Sequence, residues 1–320
     1  MPDDFQALVS RHYALDHSFD QPVSLFFQPL DRFFHHNLEA LAILATYLQE
    51  QTPLNVCQLV PTRDGGFETA VNGAPSVLMQ LPQDSDAEQP IGSALALLHR
   101  WTQGIDSRSF PEALVYQKTE GLARSLDTLG KKYTELGEGR NQNFFEKSFV
   151  SNFPYFSGVA ENAVQFLVDC SFNYPPEPLT LTHYRFSGAD SLFPENPATW
   201  VADDRSRDLA EWIRLTVWTH EREESLYEVA AFLDSYEAVF PLSLPVAGRM
   251  YGRLLFPLSY VECCERYLLG SSFEDRALLE DMLAMNERKI EDNQYILHYL
   301  GRRFPDLDVP EWIASLSEQG

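Results

Sequence analysis

The stretch Thr182-His-Tyr-Arg-Phe-Ser-Gly-Ala-Asp190 can be laid on the spacing H-x-D-x-x-x-x-N, which phosphoryl-transfer loops use for a structural histidine, a proton-accepting aspartate and a metal-binding asparagine. His183 fills the first position, Arg185 stands where the aspartate belongs, and Asp190 stands where the asparagine belongs. A guanidinium stays protonated at any ordinary pH and cannot take a proton from a hydroxyl. Asp190 keeps an oxygen ligand suited to Mg²⁺. Further on, the apolar run Trp200-Val-Ala ends in Asp203-Asp204, close to where a phosphotransferase keeps its metal aspartate. Asp190, Asp203 and Asp204 are therefore candidate metal ligands. A competing register makes Asp204-Arg-Ser-Arg-Asp208-Leu-Ala a helix start, with Asp204 near the N-cap and Asp208 bracing the loop from below.

The other parts of a phosphoryl-transfer site are missing from the text. Residues 1 to 64 contain no glycine, so the first hairpin cannot bring bare backbone against a triphosphate. The first lysine of the chain is Lys118, and Arg11, Arg32 and Arg63 are bulkier, differently shaped substitutes for a phosphate-pairing lysine. No P-loop, nucleophile elbow or G-x-G-x-x-G occurs. His35 and His36 adjoin, and His220-Glu221 has no second histidine four residues on, so neither makes a zincin helix. No catalytic residue is expected at His183, Arg185 and Asp190, whose pattern is degenerate, and no cofactor is expected.

These residues need elements to hold them. One helix is expected over Asn37 to Gln49, with Asn37 as N-cap and Leu38, Leu41, Ala42, Leu44, Ala45 and Leu48 on one face. Three short apolar runs follow, around 55–61, 67–71 and 76–82, separated by Gly-Gly and Asn-Gly turn signals, and they predict a small antiparallel sheet. The polar stretch from Gln83 to Gln89 reads as a boundary. Beyond it, apolar positions three or four apart predict helices near 90–103, 111–135, 141–170, 204–219, 224–238, 244–268, 273–299 and 309–317. Only Pro178 to Val201, rich in Thr, Phe, Tyr and Pro, interrupts them, and that interruption holds the loop. The fold class is α+β, with a small β-rich lobe over 1–83 and a large helical lobe over 84–320.

Composition narrows the partners. With 320 residues, 44% of them hydrophobic, the chain can bury a large core. A formal charge of -23 is the wrong sign for nucleic acid or an anionic membrane, so neither is expected as a partner. Four cysteines in no C-x-x-C spacing read as reduced thiols, and no run of eighteen apolar residues predicts a membrane span.

The block from Phe144 to Asp169, beginning Phe-Phe-Glu-Lys-Ser-Phe, resembles a signature of YutH-type spore coat-associated proteins. Leu59 to Gly65, Pro197 to Ile213 and Arg249 to Glu262 resemble further blocks of the family in its order, so the resemblance spans roughly residues 37 to 300. It implies the protein kinase-like fold of aminoglycoside phosphotransferases, with His183, Arg185 and Asp190 at the catalytic-loop positions and no lysine near Phe26 to Gln28 where the family's lysine belongs. It also implies a structural protein of the spore coat, a pseudokinase made in the mother-cell cytoplasm that contacts other coat proteins. The alternatives are a Mg²⁺- and ATP-dependent small-molecule phosphotransferase with rearranged catalytic groups, and a nucleotide- or metabolite-binding module.

Overall fold

The computed structural model describes residues 5–14, 24–34, 37–82, 89–105, 119–139, 142–270 and 275–316. In chain order these form α1 (Phe5–His12), β1 (Leu25–Pro29), α2 (Leu38–Gln51), β2 (Gln58–Leu59), β3 (Glu68–Val71), β4 (Ala74–Gln80), α3 (Ile91–Thr102), α4 (Thr119–Gly137) and α5 (Phe144–Asn173). There follow β5 (Thr180–His183), α6 (Ala189–Leu192), β6 (Trp200–Asp203), α7 (Ser206–Thr219), α8 (Arg222–Glu237), α9 (Leu244–Leu255), α10 (Leu258–Leu269), α11 (Arg276–Arg288), α12 (Ile290–Arg303) and α13 (Glu311–Ala314). The architecture is a small β-sheet near the N-terminus followed by a mostly helical remainder. By packing, the chain forms two compact units: Met1–Tyr116 with Pro178–Asp208 and Phe232–Pro241, and Gln117–Glu177 with Leu209–Ala231 and Leu242–Gly320. The boundary expected at 83/84 falls within 83–88, outside the described residues.

In the first unit β4 is the strand on which the small sheet is built. Asn72 and Gly73 take positive φ, the pairing that a tight hairpin turn requires, and so fold β3 back on β4 with Val71 opposite Ala74. β2 pairs farther along β4, Leu59 opposite Met79, while β1 lies antiparallel with Phe27 opposite Leu78. Val77, Leu78 and Met79 are fully buried. Asn37 caps α2 by accepting the Ala40 N–H at 3.2 Å, and Leu38, Leu41, Ala45 and Leu48 form its buried face. α1 is a helix beyond the one expected in the β-rich region 1–83. Its eight residues are too short for a decisive period, yet Leu8 is buried, and Val9 packs on a core cluster of Tyr13, Val60 and Leu78.

The remainder of this unit is α3 laid beside the two-stranded sheet of β5 and β6. These strands run antiparallel, Thr180 opposite Asp203 and His183 opposite Trp200, and every residue of both is buried. Thr102, at the end of α3, accepts the Leu181 N–H at 3.0 Å on its hydroxyl, which ties the helix to β5. At the other end of α3, Gly92 lies so close to Phe232, Ser235 and Tyr236 that an added Cβ would collide with the Phe232 carbonyl and the Ser235 hydroxyl.

The second unit is helical, and no helix among the described residues is long and apolar enough to cross a membrane. A reciprocal capping box of Asn143 and Glu146 starts α5, which runs for 30 residues. Stacked aromatic pairs, Phe145 with Tyr267 at 3.7 Å and Phe156 with Tyr260 at 3.8 Å, join α5 to α10. Two expected helices are each divided in two. Pro257, which has no N–H to donate, separates α9 from α10, and Lys289 lies at the junction of α11 and α12. Residues 111–118 of the helix expected at 111–135 lie outside the described residues, and α4 begins at Thr119. All four cysteines are free thiols and buried.

Gly92→Ala is expected to lower stability by about 1–3 kcal/mol in denaturant unfolding, the cost of forcing a methyl group against fixed backbone. Gly121→Ala on α4, where an added Cβ meets nothing within 4 Å, is expected to stabilise by about 0.5–1 kcal/mol through helix propensity.

Candidate functional site

His183 ends β5 and is fully buried, and both of its ring nitrogens face carboxylates. Nδ1 lies 2.9 Å from Asp208 Oδ2, and Nε2 lies 3.1 Å from Glu195 Oε2. Asp208, in the first turn of α7, also accepts the His183 backbone N–H on Oδ1 at 2.9 Å. Its Oδ2 takes a third contact from His99 Nε2 at 3.3 Å, and His99 Nδ1 meets the Tyr236 hydroxyl at 2.8 Å. At the far end, Glu195 Oε2 accepts the Trp200 indole N–H at 3.0 Å. The result is one buried polar chain, Tyr236–His99–Asp208–His183–Glu195–Trp200, lying within the first compact unit.

Proton positions follow from the partners. Burial alone would disfavour a charged His183, but the charges of Glu195 and Asp208 and the hydrogen bonds to both outweigh it, and its pKa is raised to about 10. Both ring nitrogens therefore donate, and the ring is an imidazolium between two carboxylates. Burial likewise opposes the Asp208 charge, yet His183 and His99 hold its carboxyl well below the usual range. An ionised Asp208 can only accept, so His99 donates from Nε2 and accepts the Tyr236 O–H hydrogen bond on Nδ1. Burial pushes the His99 pKa down, and this ring is neutral.

The other loop residues are placed as follows. Arg185 has its guanidinium 5.0 Å from the Tyr184 ring centroid and donates to the Tyr184 carbonyl at 3.4 Å. Tyr184 also stacks with Phe34, ring centroids 4.8 Å apart. Asp190 sits exposed in the first turn of α6. Asp203 ends β6, where Oδ2 faces Arg207 Nη1 at 3.3 Å and Oδ1 accepts the Asp204 N–H at 2.8 Å. Asp204 Oδ1 accepts the Ser206 N–H at 3.0 Å and the Ser206 hydroxyl, at the start of α7. Arg207 reaches back to donate to the His183 and Tyr184 carbonyls, each at 2.9 Å. His35 and His36 lie outside the described residues, while His220 Nδ1 faces the Thr216 carbonyl and the Thr219 hydroxyl.

Of the three carboxylates that could hold a Mg²⁺ ion, Asp190 is exposed, Asp203 faces Arg207, and Asp204 holds the start of α7. The loop's buried carboxylates are engaged by protein groups: Asp208 and Glu195 by histidine, and Asp203 by Arg207. Among the described residues, no group of three or more His, Cys, Asp or Glu is arranged to hold a metal ion. The arrangement can fix a backbone; it offers no open acceptor at position 185 for a substrate proton.

Sequence reading brings His183 and Asp208 to one place but misses His99, Glu195, Tyr236 and the bridging role of Arg207. His99 left a faint signal, a histidine in register with the buried Leu95, Leu98 and Thr102 of α3. Glu195 left none, since it stands in a loop between Pro194 and Asn196.

A family model described as "Spore coat putative kinase YutH" matches residues 12–300. The endospore coat-associated protein YutH of Bacillus subtilis (strain 168) is 32% identical over 273 residues, covering 82% of this chain and 80% of that protein. Among solved structures, an aminoglycoside phosphotransferase from Alicyclobacillus acidocaldarius aligns with a TM-score of 0.64 at 13% identity, covering 96% of this chain and 98% of that one. A spectinomycin phosphotransferase in complex with ADP and its antibiotic aligns at 0.55 and 11% identity, covering 98% of this chain and 99% of that one.

The two histidines load stability against pH in opposite directions. The unfolded chain protonates His99 below about pH 6.5 and the folded chain does not, so acid destabilises. His183 stays protonated in the folded chain up to about 10, so its stabilisation is complete below about pH 6.5 and is lost as pH rises toward that value. Melting temperature is expected to peak near neutrality and to fall through pH 7–10, and His183→Gln is expected to flatten the alkaline fall. An alkaline limb unchanged in that variant would contradict the assignment. Asp208→Asn, which strips the charge from between two rings, is expected to cost about 3–5 kcal/mol.

Proposed function

The chain belongs to the YutH family of spore coat putative kinases, and from that premise we propose that it is a spore coat-associated pseudokinase, made in the mother-cell cytoplasm and working through contacts with other coat proteins. One observation carries this reading: the buried carboxylates around the catalytic-loop position are held by His183 and Arg207, while position 185 is an arginine. A base that must accept a hydroxyl proton needs an accessible lone pair near the reacting group, and removing such a group forfeits ~10²–10⁴-fold in rate. The missing lysine in the β-rich region and the glycine-free first 64 residues support the same reading. The formal charge of -23 favours solubility before assembly and attraction to basic coat partners. This attraction is screened over a Debye length of ~8 Å at physiological salt.

Thermal unfolding of the full chain, with and without millimolar Mg²⁺ and ATP, separates this reading from a phosphotransferase. A ligand at one hundred times its Kd adds about 2.7 kcal/mol of stability, an easily read rise in melting temperature. No shift with ATP, ADP or GTP is expected. A Mg²⁺-dependent rise abolished by Asp203→Ala or Asp190→Ala would overturn the reading in favour of a nucleotide site. In spores carrying a tagged copy, Arg185→Ala is expected to leave coat association unchanged, and raised salt is expected to release the protein.

A further inference from the structure

We propose that the groove between α4 and α5 is the interface of a two-fold homodimer, in which α4 of each copy lies in the groove of the other. The groove has a volume of about 520 Å³ and lies wholly within the second compact unit. Leu126 and Val164 give it apolar walls, and Gly130 stands at the middle of its α4 side, where an added Cβ meets nothing within 4 Å. Phe153, at one end of the lining, stacks on Tyr133 of α4 at 5.1 Å and holds the two helices in register.

Three charged side chains line the groove, Asp127 and Lys131 from α4 and Glu161 from α5, and all three are exposed. Asp127 and Lys131 are one turn apart, a spacing that often makes a pair within a helix. Here they stay apart, although the neighbouring Lys132 binds Glu135 at 2.7 Å. Among the described residues, none of the three has an ion-pair or side-chain hydrogen-bond partner. Their levels along the groove follow from the aromatic stack, since α4 and α5 are antiparallel neighbours. Asp127 lies six residues from Tyr133 and Glu161 eight from Phe153, which at ~1.5 Å per residue leaves the two carboxylates within about 3 Å of one level.

A two-fold axis perpendicular to α4 at the level of residue 129 sets Lys131 of a second copy opposite Asp127 and beside Glu161. By symmetry, Lys131 of the first copy lies between the same two carboxylates of the second, so each contact is made twice. Gly130, beside the axis, lets the two α4 helices approach closely. A basic helix from another protein would also meet Asp127 and Glu161, but it would press a cation against Lys131. A second copy brings a cation to the carboxylates and carboxylates to the lysine. The 19 residues of α4 span about 28 Å, and two helices side by side about 20 Å. That footprint is of the order of the ~600–1,000 Å² per partner that a specific interface buries. The formal charge of -23 repels a second copy at a distance, but physiological salt screens this beyond a Debye length of ~8 Å while the close pairs persist.

The test is sedimentation equilibrium of the full chain at physiological salt, over about 1 to 200 μM, where a reversible dimer is expected. Asp127→Lys and Lys131→Asp change the net charge in opposite directions, and each is expected to weaken dimerisation about tenfold or more. The double variant sets lysine opposite aspartate again and is expected to recover affinity to within about threefold of the native chain. Gly130→Leu is expected to abolish the dimer without lowering the melting temperature, because the position is open in the single chain. A chain that stays monomeric throughout would overturn the proposal and leave the groove to another partner. A dimer indifferent to either charge reversal or to Gly130→Leu, or one that the double variant does not recover, would put the interface elsewhere and overturn it too. None of these residues belongs to the loop at His183, so failure here leaves the pseudokinase reading untouched.

Discussion

The carboxylate of Asp208 is the joint of the first compact unit. It accepts from the His183 backbone, the His183 ring and the His99 ring, so one side chain at the head of α7 fixes the end of β5 and the face of α3. An isolated carboxylate at zero exposure would be ruinously desolvated. Here the penalty is met by three donors, one of them a full positive charge. The position of each donor then constrains the others: α3 must hold His99 against Asp208, and β5 must end at residue 183, where the ring can turn toward α7. Remove the charge and no remaining group can satisfy both rings.

The same joint sets how the loop's polar groups are used. A catalytic loop and a structural clamp draw on the same residue types, namely histidine, carboxylates and a cation, and differ in where the unused lone pairs point. In this chain they point inward. Glu195 presses on the second nitrogen of His183, and Arg207 ties Asp203 to the carbonyls of His183 and Tyr184. Low dielectric strengthens each contact and discourages any of these groups from changing protonation during a reaction cycle.

Legibility in the sequence followed the range of the physics. α2 and its Asn37 cap, α3, α5 and the hairpin at Asn72-Gly73 were readable because they are set by neighbours a few residues away. The undivided helix expected over 244–268 failed at Pro257, where apolar periodicity continues across a residue that cannot donate. In the site, Asp208 could be assigned near the loop because it lies on the helix directly after β6. Glu195 could not, because its link to His183 depends on how an irregular loop folds back. Tyr236 meets His99 across 137 residues of chain, a separation at which no local pattern carries information.

That separation bears on how the protein is made. The first unit is assembled from Met1–Tyr116, Pro178–Asp208 and Phe232–Pro241, so a ribosome must emit most of the second unit's early helices before the first unit has its last strut. Until then His99 and the face of α3 wait without the hydroxyl that completes their packing. A nascent chain of this kind cannot set its N-terminal half and move on, as a string of contiguous domains does. Its long-range contacts commit it to closing late and as a whole.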